Sequence, residues 1–256
     1  MLHRELEELT LNAWPPLHSL LYDGWLLSFS GGYTRRANSI HPLYPSTLAL
    51  PEKIGVCEQT YAARGQETVF KLTTAADDAE LDALLEQRGY AAAATTSVQV
   101  AELSRLPANV LPAAVPPTAE DASVALQEHL SEGWLQDFNR LSVTPEPFHP
   151  TMRRMLQNIT PAHAFASIAL PGRAEALGLA VAERGSVGLF DIIVDTVVRN
   201  QGLGRRLVSR LLQWGRQHGA ARAYLAVMSD NAPALHLYAT LGFREAYRYH
   251  YRHKHS

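Results

Sequence analysis

Three groups of side chains in this sequence are of types and spacings that can do chemistry. The first is Arg199-Asn200-Gln201-Gly202-Leu203-Gly204-Arg205-Arg206, which follows the apolar run Ile192-Ile193-Val194 and leads into Leu203, Leu207, Leu211 and Trp214 at helical spacing. The glycines fall where a strand hands over to a helix. Lacking a Cβ, Gly202 and Gly204 let the backbone turn tightly and approach a ligand closely. The free N–H groups of the helix's first turn, with the helix dipole, make a seat for phosphate oxygens. Arg199, Arg205 or Arg206 can add charge there; the alternative for Arg205 and Arg206 is a solvated basic helix face. The loop is not a Walker sequence, since no Gly-Lys-Ser/Thr closes it. It is not G-x-G-x-x-G either, since position 207 is Leu. By itself it also fits a plain strand–helix turn. The second group is Asn231 with Tyr238. Asn231 is a helix cap by type, with Pro233 in the first turn. Tyr238 carries a phenol of ordinary pKa about 10, protonated at neutral pH and able to donate; its alternative is an aromatic on the helix's inner face. The third group is the carboxylates Asp191 and Glu183, candidate general bases. Asp191 alternatively faces the other side of its strand or caps a turn.

The elements that position these groups can be read from periodicity and turn signals. Ser131–Leu141 and Met152–Ile159 read as helices, Asp121–Leu130 as a further short one, and Ala164–Leu170, Leu177–Glu183 and Gly188–Val194 as three strands. The glycine loop and its helix to His218 follow. A strand at Tyr224–Val227, a helix capped at Asp230-Asn231 with Ala234, Leu237, Tyr238 and Leu241 on one face, and a strand at Tyr247–Tyr251 complete the chain.

Asn231-Ala232-Pro233-Ala234-Leu235-His236-Leu237-Tyr238-Ala239-Thr240-Leu241-Gly242-Phe243 resembles, at every named position, the N-x-x-A-x-x-L-Y-x-x-x-G-F signature of the GNAT acyl-CoA-dependent N-acyltransferases. The R-x-x-G-x-G pattern one strand earlier resembles that family's pyrophosphate loop. The resemblance covers roughly residues 118–256. It implies an α/β (α+β) GNAT fold, a twisted mixed sheet with helices on both faces, and acetyl-CoA as acyl donor without a metal. It also implies that the backbone at Ile193 and Val194 pairs with the pantetheine arm, that the loop amides from Gln201 to Arg206 hold the pyrophosphate, that Asn231 touches the pantetheine region, and that Tyr238 protonates the CoA thiolate. Asp191 stays a candidate base beside deprotonation through water. The expected reaction is acetyl transfer to a small-molecule or peptide amine. A non-catalytic acyl-CoA-binding sensor or scaffold is the alternative, and a nucleotide-phosphate enzyme using the loop is a third reading.

In the first half, residues 3–12, 52–64 and the stretch opened by Asp77-Asp78 read as helices. Trp25–Ser30, Thr68–Leu72 and Thr95–Val100 read as strands, and Arg35–Ile40 reads as a strand returning from a Gly31-Gly32 turn. Helix, glycine, strand, capped helix, Gly-aromatic, strand recurs in both halves, with nearly the same step from Gly65 to Gly89 as from Gly219 to Gly242. We therefore expect a degenerate, partial GNAT-like domain at 1–106, a Pro-rich linker at 107–117 and a GNAT domain at 118–256. Where the second copy has its glycine loop, the first has HPLYPSTLALP and no phosphate seat. Arg35, Arg36 and Asn38 are either an anion or substrate contact or a solvated hairpin edge. Tyr247, Tyr249 and Tyr251 either line an acceptor pocket or pack on the sheet, and His250, His253 and His255 lack the carboxylate or cysteine partners of a metal site.

Composition narrows the rest. A net charge of −2 gives no basic excess for nucleic acid. No long apolar run suggests a membrane span. The lone Cys57 rules out an internal disulfide framework and suits a reducing, cytoplasmic setting.

Overall fold

The computed structural model describes residues 2–76, 78–106, 110, 124–170 and 173–254. The chain forms two compact units, Met1–Ser97 with Ala246–Ser256, and Val98–Glu245. Among the described residues no helix is long and apolar enough to cross a membrane.

The first unit runs α1 (Leu2–Ala13), β1 (His18–Tyr22), β2 (Trp25–Phe29), β3 (Ile40–Pro42), α2 (Leu50–Ala62), β4 (Thr68–Thr73), α3 (Ala79–Gln87) and β5 (Ala91–Glu102), whose far end belongs to the second unit. β1 and β2 form a hairpin about Asp23-Gly24, with Tyr22 opposite Trp25. Both turn residues have positive φ, 41° and 82°, as a two-residue turn that matches strand twist demands. The turn expected at Gly31-Gly32 is present, with φ 61° and 83°, and the chain beyond it returns antiparallel to β2, Leu27 opposite Ile40 and Trp25 opposite Pro42. The strand expected at Arg35–Ile40 is a 3-10 turn over Arg35–Ala37 followed by the short β3. The core packs Trp25, Leu27, Ile54, Tyr61, Phe70 and Leu85 around Cys57.

The second unit continues β6 (Val124–Gln127), α4 (Glu132–Ser142), α5 (His149–Gln157), β7 (Ala162–Leu170), β8 (Arg173–Glu183), β9 (Ser186–Val194), α6 (Leu203–Gln217), β10 (Arg222–Met228) and α7 (Ala232–Thr240). Of the helix expected at Asp121–Leu130, residues 124–127 form β6 instead, and 121–123 lie outside the described residues. Val124 and Leu126 alternate inward beside β7, a pattern of period two that too short a run could not separate from a helix. β7, β8 and β9 form an antiparallel meander, β10 pairs β9 in parallel, and α6 crosses between them. Leu207, Leu211 and Leu212 of α6 are wholly buried.

The last strand, β11 (Arg244–Lys254), returns to the first unit and pairs β4 antiparallel from Tyr249↔Thr73 to Lys254↔Thr68. A second domain contiguous over 118–256 is thus not how the compact units divide. The linker expected at 107–117 lies, apart from Val110, outside the described residues. Each unit contains two parallel neighbouring strands joined by a helix, β3–α2–β4 in the first and β9–α6–β10 in the second. After Gly65 and after Gly219 the same elements follow, strand, helix, glycine and strand: β4, α3, Gly89 and β5 in the first case, β10, α7, Gly242 and the strand Arg244–Lys254 in the second.

Candidate functional site

β9 is bulged where it meets the loop. Leu177 stands opposite Ile193 and Leu179 opposite Phe190, so Asp191 and Ile192 together face Gly178. Asp191 takes φ 50°, the left-handed conformation that gives the strand its extra residue. Position 178 must be glycine-small, because a Cβ there would lie 2.7 Å from Ile192 Cδ1 and 3.0 Å from Leu211 Cδ1. On its other edge β9 pairs with β10 only from Ser186↔Arg222 to Leu189↔Leu225. Both strands nevertheless continue, to Val194 and Met228. Past the bulge the two parallel neighbours part, and Asp191–Val194 changes from buried to half-buried.

The loop after β9 is anchored before it reaches the glycines. Asp195 caps the 3-10 turn Thr196–Val198: its Oδ1 accepts from the Val197 amide at 3.2 Å. Its Oδ2 accepts from the Arg140 guanidinium at 3.2 Å. Its own amide donates to the Glu175 carbonyl at 2.8 Å. Asn200 and Gly202 then take φ 61° and 79°. Gly202 is the N-cap of α6, and the Arg206 amide makes the helix's first bond, to the Gly202 carbonyl at 3.1 Å. The amides of Leu203, Gly204 and Arg205 have no helical carbonyl to donate to. Of the loop amides expected to form the seat, that of Arg206 is therefore committed to the helix.

Gly204 serves packing. A Cβ there would sit 3.2 Å from Leu237 Cδ2 and 3.6 Å from Val194 Cγ2, so α6, α7 and the end of β9 meet at this point. Arg205 donates to Thr240 Oγ1 at 2.9 Å, a second tie between α6 and α7. Arg199 donates from Nε to the Val194 carbonyl at 3.3 Å. Ile193 and Val194 are half-buried at the open edge, Gln201 is exposed, and Leu203 is buried in the core.

Asn231 caps α7, its Oδ1 accepting from the Ala234 amide at 3.2 Å. Tyr238, 7% exposed, lies edge-on to Phe243 at 5.8 Å. Among the described residues no group hydrogen-bonds its hydroxyl, and burial pushes its pKa up to about 12. Loop, strand end and the Tyr238 helix thus converge within the second unit. Glu183 does not join them. It pairs with Ser186 at the opposite end of β9, roughly 25 Å away at the usual strand rise.

Three residues of this region were not singled out from the sequence. Arg140 and Asp195 anchor the loop, and Glu175 is a carboxylate only 6% exposed on β8 beside the end of β9. A lone charge inside the apolar run Ala174–Ala182 is the one signal that marks Glu175. Asn38 is used up in its own loop: its Oδ1 accepts from the Ser30 and Gly32 amides at 2.7 and 2.9 Å, and its Nδ2 donates to the Tyr33 and Thr34 carbonyls. Tyr247, Tyr249 and Tyr251 are buried in the first unit, with the Tyr247 hydroxyl on Glu7 at 2.7 Å. His250 meets Asp82 at 3.0 Å and His253 meets Glu67 at 2.8 Å, while His255 lies outside the described residues.

The second unit thus has a parallel strand pair that parts beyond a bulge, with a glycine-capped helix at the opening. Residues 3–252 match the family model described as "Probable histone acetyltransferase Rv0428c C-terminal". The chain belongs to this family. Over 254 residues, 97% of each chain, this GNAT protein is 26% identical to a Bacillus subtilis (strain 168) protein named an uncharacterized N-acetyltransferase, YobR. A GCN5-related N-acetyltransferase from Kribbella flavida superimposes with a TM-score of 0.69 at 15% identity, covering 99% of this chain and 95% of that one. A tandem GNAT protein from the clavulanic acid biosynthesis pathway superimposes at 0.60 and 13% identity, covering 97% and 87%. The fold is that of the GNAT proteins, and the chain is an N-acetyltransferase. The likeness reaches beyond 118–256 into the first half, which the sequence pattern showed only as a degenerate repeat.

Proposed function

We propose that the second unit binds acetyl-CoA in the opening between β9 and β10 and transfers the acetyl group directly to an amine. The observation that carries this reading is the end of parallel pairing at Leu189↔Leu225 while β9 runs on past its bulge to Val194. A strand edge left open at Ile193 and Val194 suits the amides of a pantetheine arm. The Leu203, Gly204 and Arg205 amides suit the pyrophosphate, with Gln201 and Gly202 shaping the turn and Arg199, Arg205 and Arg206 supplying charge. Asn231, exposed at the start of α7, is available to the pantetheine through its amide nitrogen while its oxygen caps the helix.

In the reaction, the neutral amine attacks the thioester carbonyl carbon, the C–S bond breaks, and the sulfur leaves with a proton from Tyr238. The amine's surplus proton passes to water or to Asp191. Burial holds the Tyr238 phenol near pKa 12, so it is protonated throughout the neutral range and has a proton to give as the C–S bond breaks. The cytoplasm is the compartment that the single cysteine favours.

Thiol release from acetyl-CoA against an amine panel tests the reading. Tyr238→Phe is expected to lower kcat roughly 10²–10⁴-fold with little change in acetyl-CoA affinity. Unchanged kcat in that variant, or turnover that ATP competes away, would contradict it.

A further inference from the structure

The first unit holds a cavity of about 540 Å³ between β3, β4, α1 and the start of α3, a size typical of small-molecule sites. It lies where the first copy of the repeat has its own parallel pair, β3 and β4. Three features define what it can hold. At its floor the Lys71 ammonium and Glu7 carboxylate lie 2.5 Å apart, their side chains 3% and 5% exposed. Glu7 also accepts from the Tyr247 hydroxyl. Beside them is His41, 2% exposed: its Nε2 lies 3.1 Å from Ser39 Oγ, and its Nδ1 has no hydrogen-bond partner among the described residues. Trp25, Leu43 and Leu81 give the walls their apolar surface, beside the charged Arg4, Asp78 and Glu80.

The loop that would hold phosphates is already filled from within. The Asp23 carboxylate, carried on the β1–β2 turn, accepts from the Thr47 amide at 3.0 Å, the Leu48 amide at 2.9 Å and Thr47 Oγ1 at 2.8 Å, ahead of α2. Buried Lys53 neutralises it at 3.2 Å and stacks on Trp25 at 3.9 Å. A phosphate would have to displace a carboxylate of the chain itself.

A floor of two opposite charges side by side favours a dipole over a monopole, because a lone anion or cation would leave a buried charge uncompensated. We propose that the cavity binds a small zwitterion, an α-amino acid with an apolar side chain, its carboxylate toward Lys71, its ammonium toward Glu7 and one further hydrogen bond to His41 Nδ1. The Thr47 and Leu48 amides, which could have seated a phosphate ahead of α2, are already taken by Asp23. This site is separate from acetyl transfer and is read without it.

Isothermal titration of the full chain, with no acyl-CoA present, tests the assignment. L-leucine and L-phenylalanine are expected to give saturable binding. Their N-acetyl derivatives (anion only) and methyl esters (cation only) are expected at least tenfold weaker, and neither inorganic phosphate nor CoA should compete. Ala76→Trp, which fills the cavity from its lining, should abolish binding with an unchanged far-UV spectrum, and His41→Gln should weaken it at least fivefold. The proposal is overturned by no saturable binding of either amino acid at millimolar concentration. It is equally overturned by equal binding of the charged derivatives, by displacement with CoA, or by binding that survives in both variants.

Discussion

Gly178→Ala probes the bulge that opens the site. The new Cβ would lie 2.7 Å from Ile192 Cδ1, 3.0 Å from Leu211 Cδ1 and 3.3 Å from Leu207 Cδ2. Leu207 and Leu211 are fully buried on α6 and have nowhere to go. Ile192 is half-buried at the lip of the opening, so it is the side chain that yields, and it yields toward the space proposed for the pantetheine. Overpacking of this kind costs about 1–3 kcal/mol, which for a chain of this size lowers Tm by roughly 4–8 °C for a mid-range cost of about 2 kcal/mol. The expected kinetic signature is a KM for acetyl-CoA raised several-fold, with kcat less affected. Ile192→Val removes the clashing Cδ1 and nothing else, so Gly178→Ala/Ile192→Val should recover about 1 kcal/mol or more and most of the KM. Chemical denaturation and steady-state kinetics on the double-mutant cycle read both effects. Strict additivity of the two substitutions, or a Gly178→Ala enzyme with wild-type Tm and KM, would refute the argument.

Other expectations follow from the same geometry. Because burial raises the Tyr238 pKa to about 12, the acid form persists across the assay range; kcat should rise to a plateau as the acceptor amine deprotonates and show no descending limb up to pH 10. Asp195→Ala removes the loop's anchor to Arg140 and the Val197 amide, and is expected to raise KM for acetyl-CoA about tenfold while shifting Tm by only a few degrees. His41 is held neutral, its pKa lowered to about 3 by burial and by nearby Lys71, with Glu7 opposing. The folded value lies below the unfolded one, so the stability it contributes is present above pH 6.5 and lost as pH falls toward 3. Urea unfolding of the first unit should lose about 2 kcal/mol between pH 6.5 and 5, and His41→Phe should flatten that dependence. Arg252→Met, which frees Asp82 on α3 from its 2.7 Å partner on β11, should destabilise by about 1–3 kcal/mol, read by thermal melting.

What the sequence made legible was local. The strand–loop–helix passage through Arg199–Arg206 and the capped helix from Asn231 to Phe243 are each written within one short stretch, in glycine positions, a cap and one apolar face. The bulge at Asp191 is not, because it exists only in register with Gly178 on the neighbouring strand. The return of β11 to the first unit is hidden for the same reason: an alternating run names a strand but not its partner. The Gly31-Gly32 turn between β2 and the returning β3 was legible; the Asp23-Gly24 turn before it was equally readable, as Asp-Gly between the apolar runs Leu20-Leu21-Tyr22 and Trp25-Leu26-Leu27. Asp23 filling the loop before α2, and Arg140 holding Asp195, are long-range pairs of surface-type residues that carry no mark in either local stretch. Asn38, whose polarity suggested a ligand contact, is spent on four backbone groups of its own loop.

The central claim is the seat of the acyl donor, and a crystal structure with acetyl-CoA bound measures it directly. The pantetheine should run along Ile193 and Val194 between β9 and β10, with the pyrophosphate against the Leu203, Gly204 and Arg205 amides and the thioester sulfur within hydrogen-bond reach of the Tyr238 hydroxyl. Density for the cofactor in the first unit's cavity, or a pyrophosphate away from the start of α6, would contradict the account.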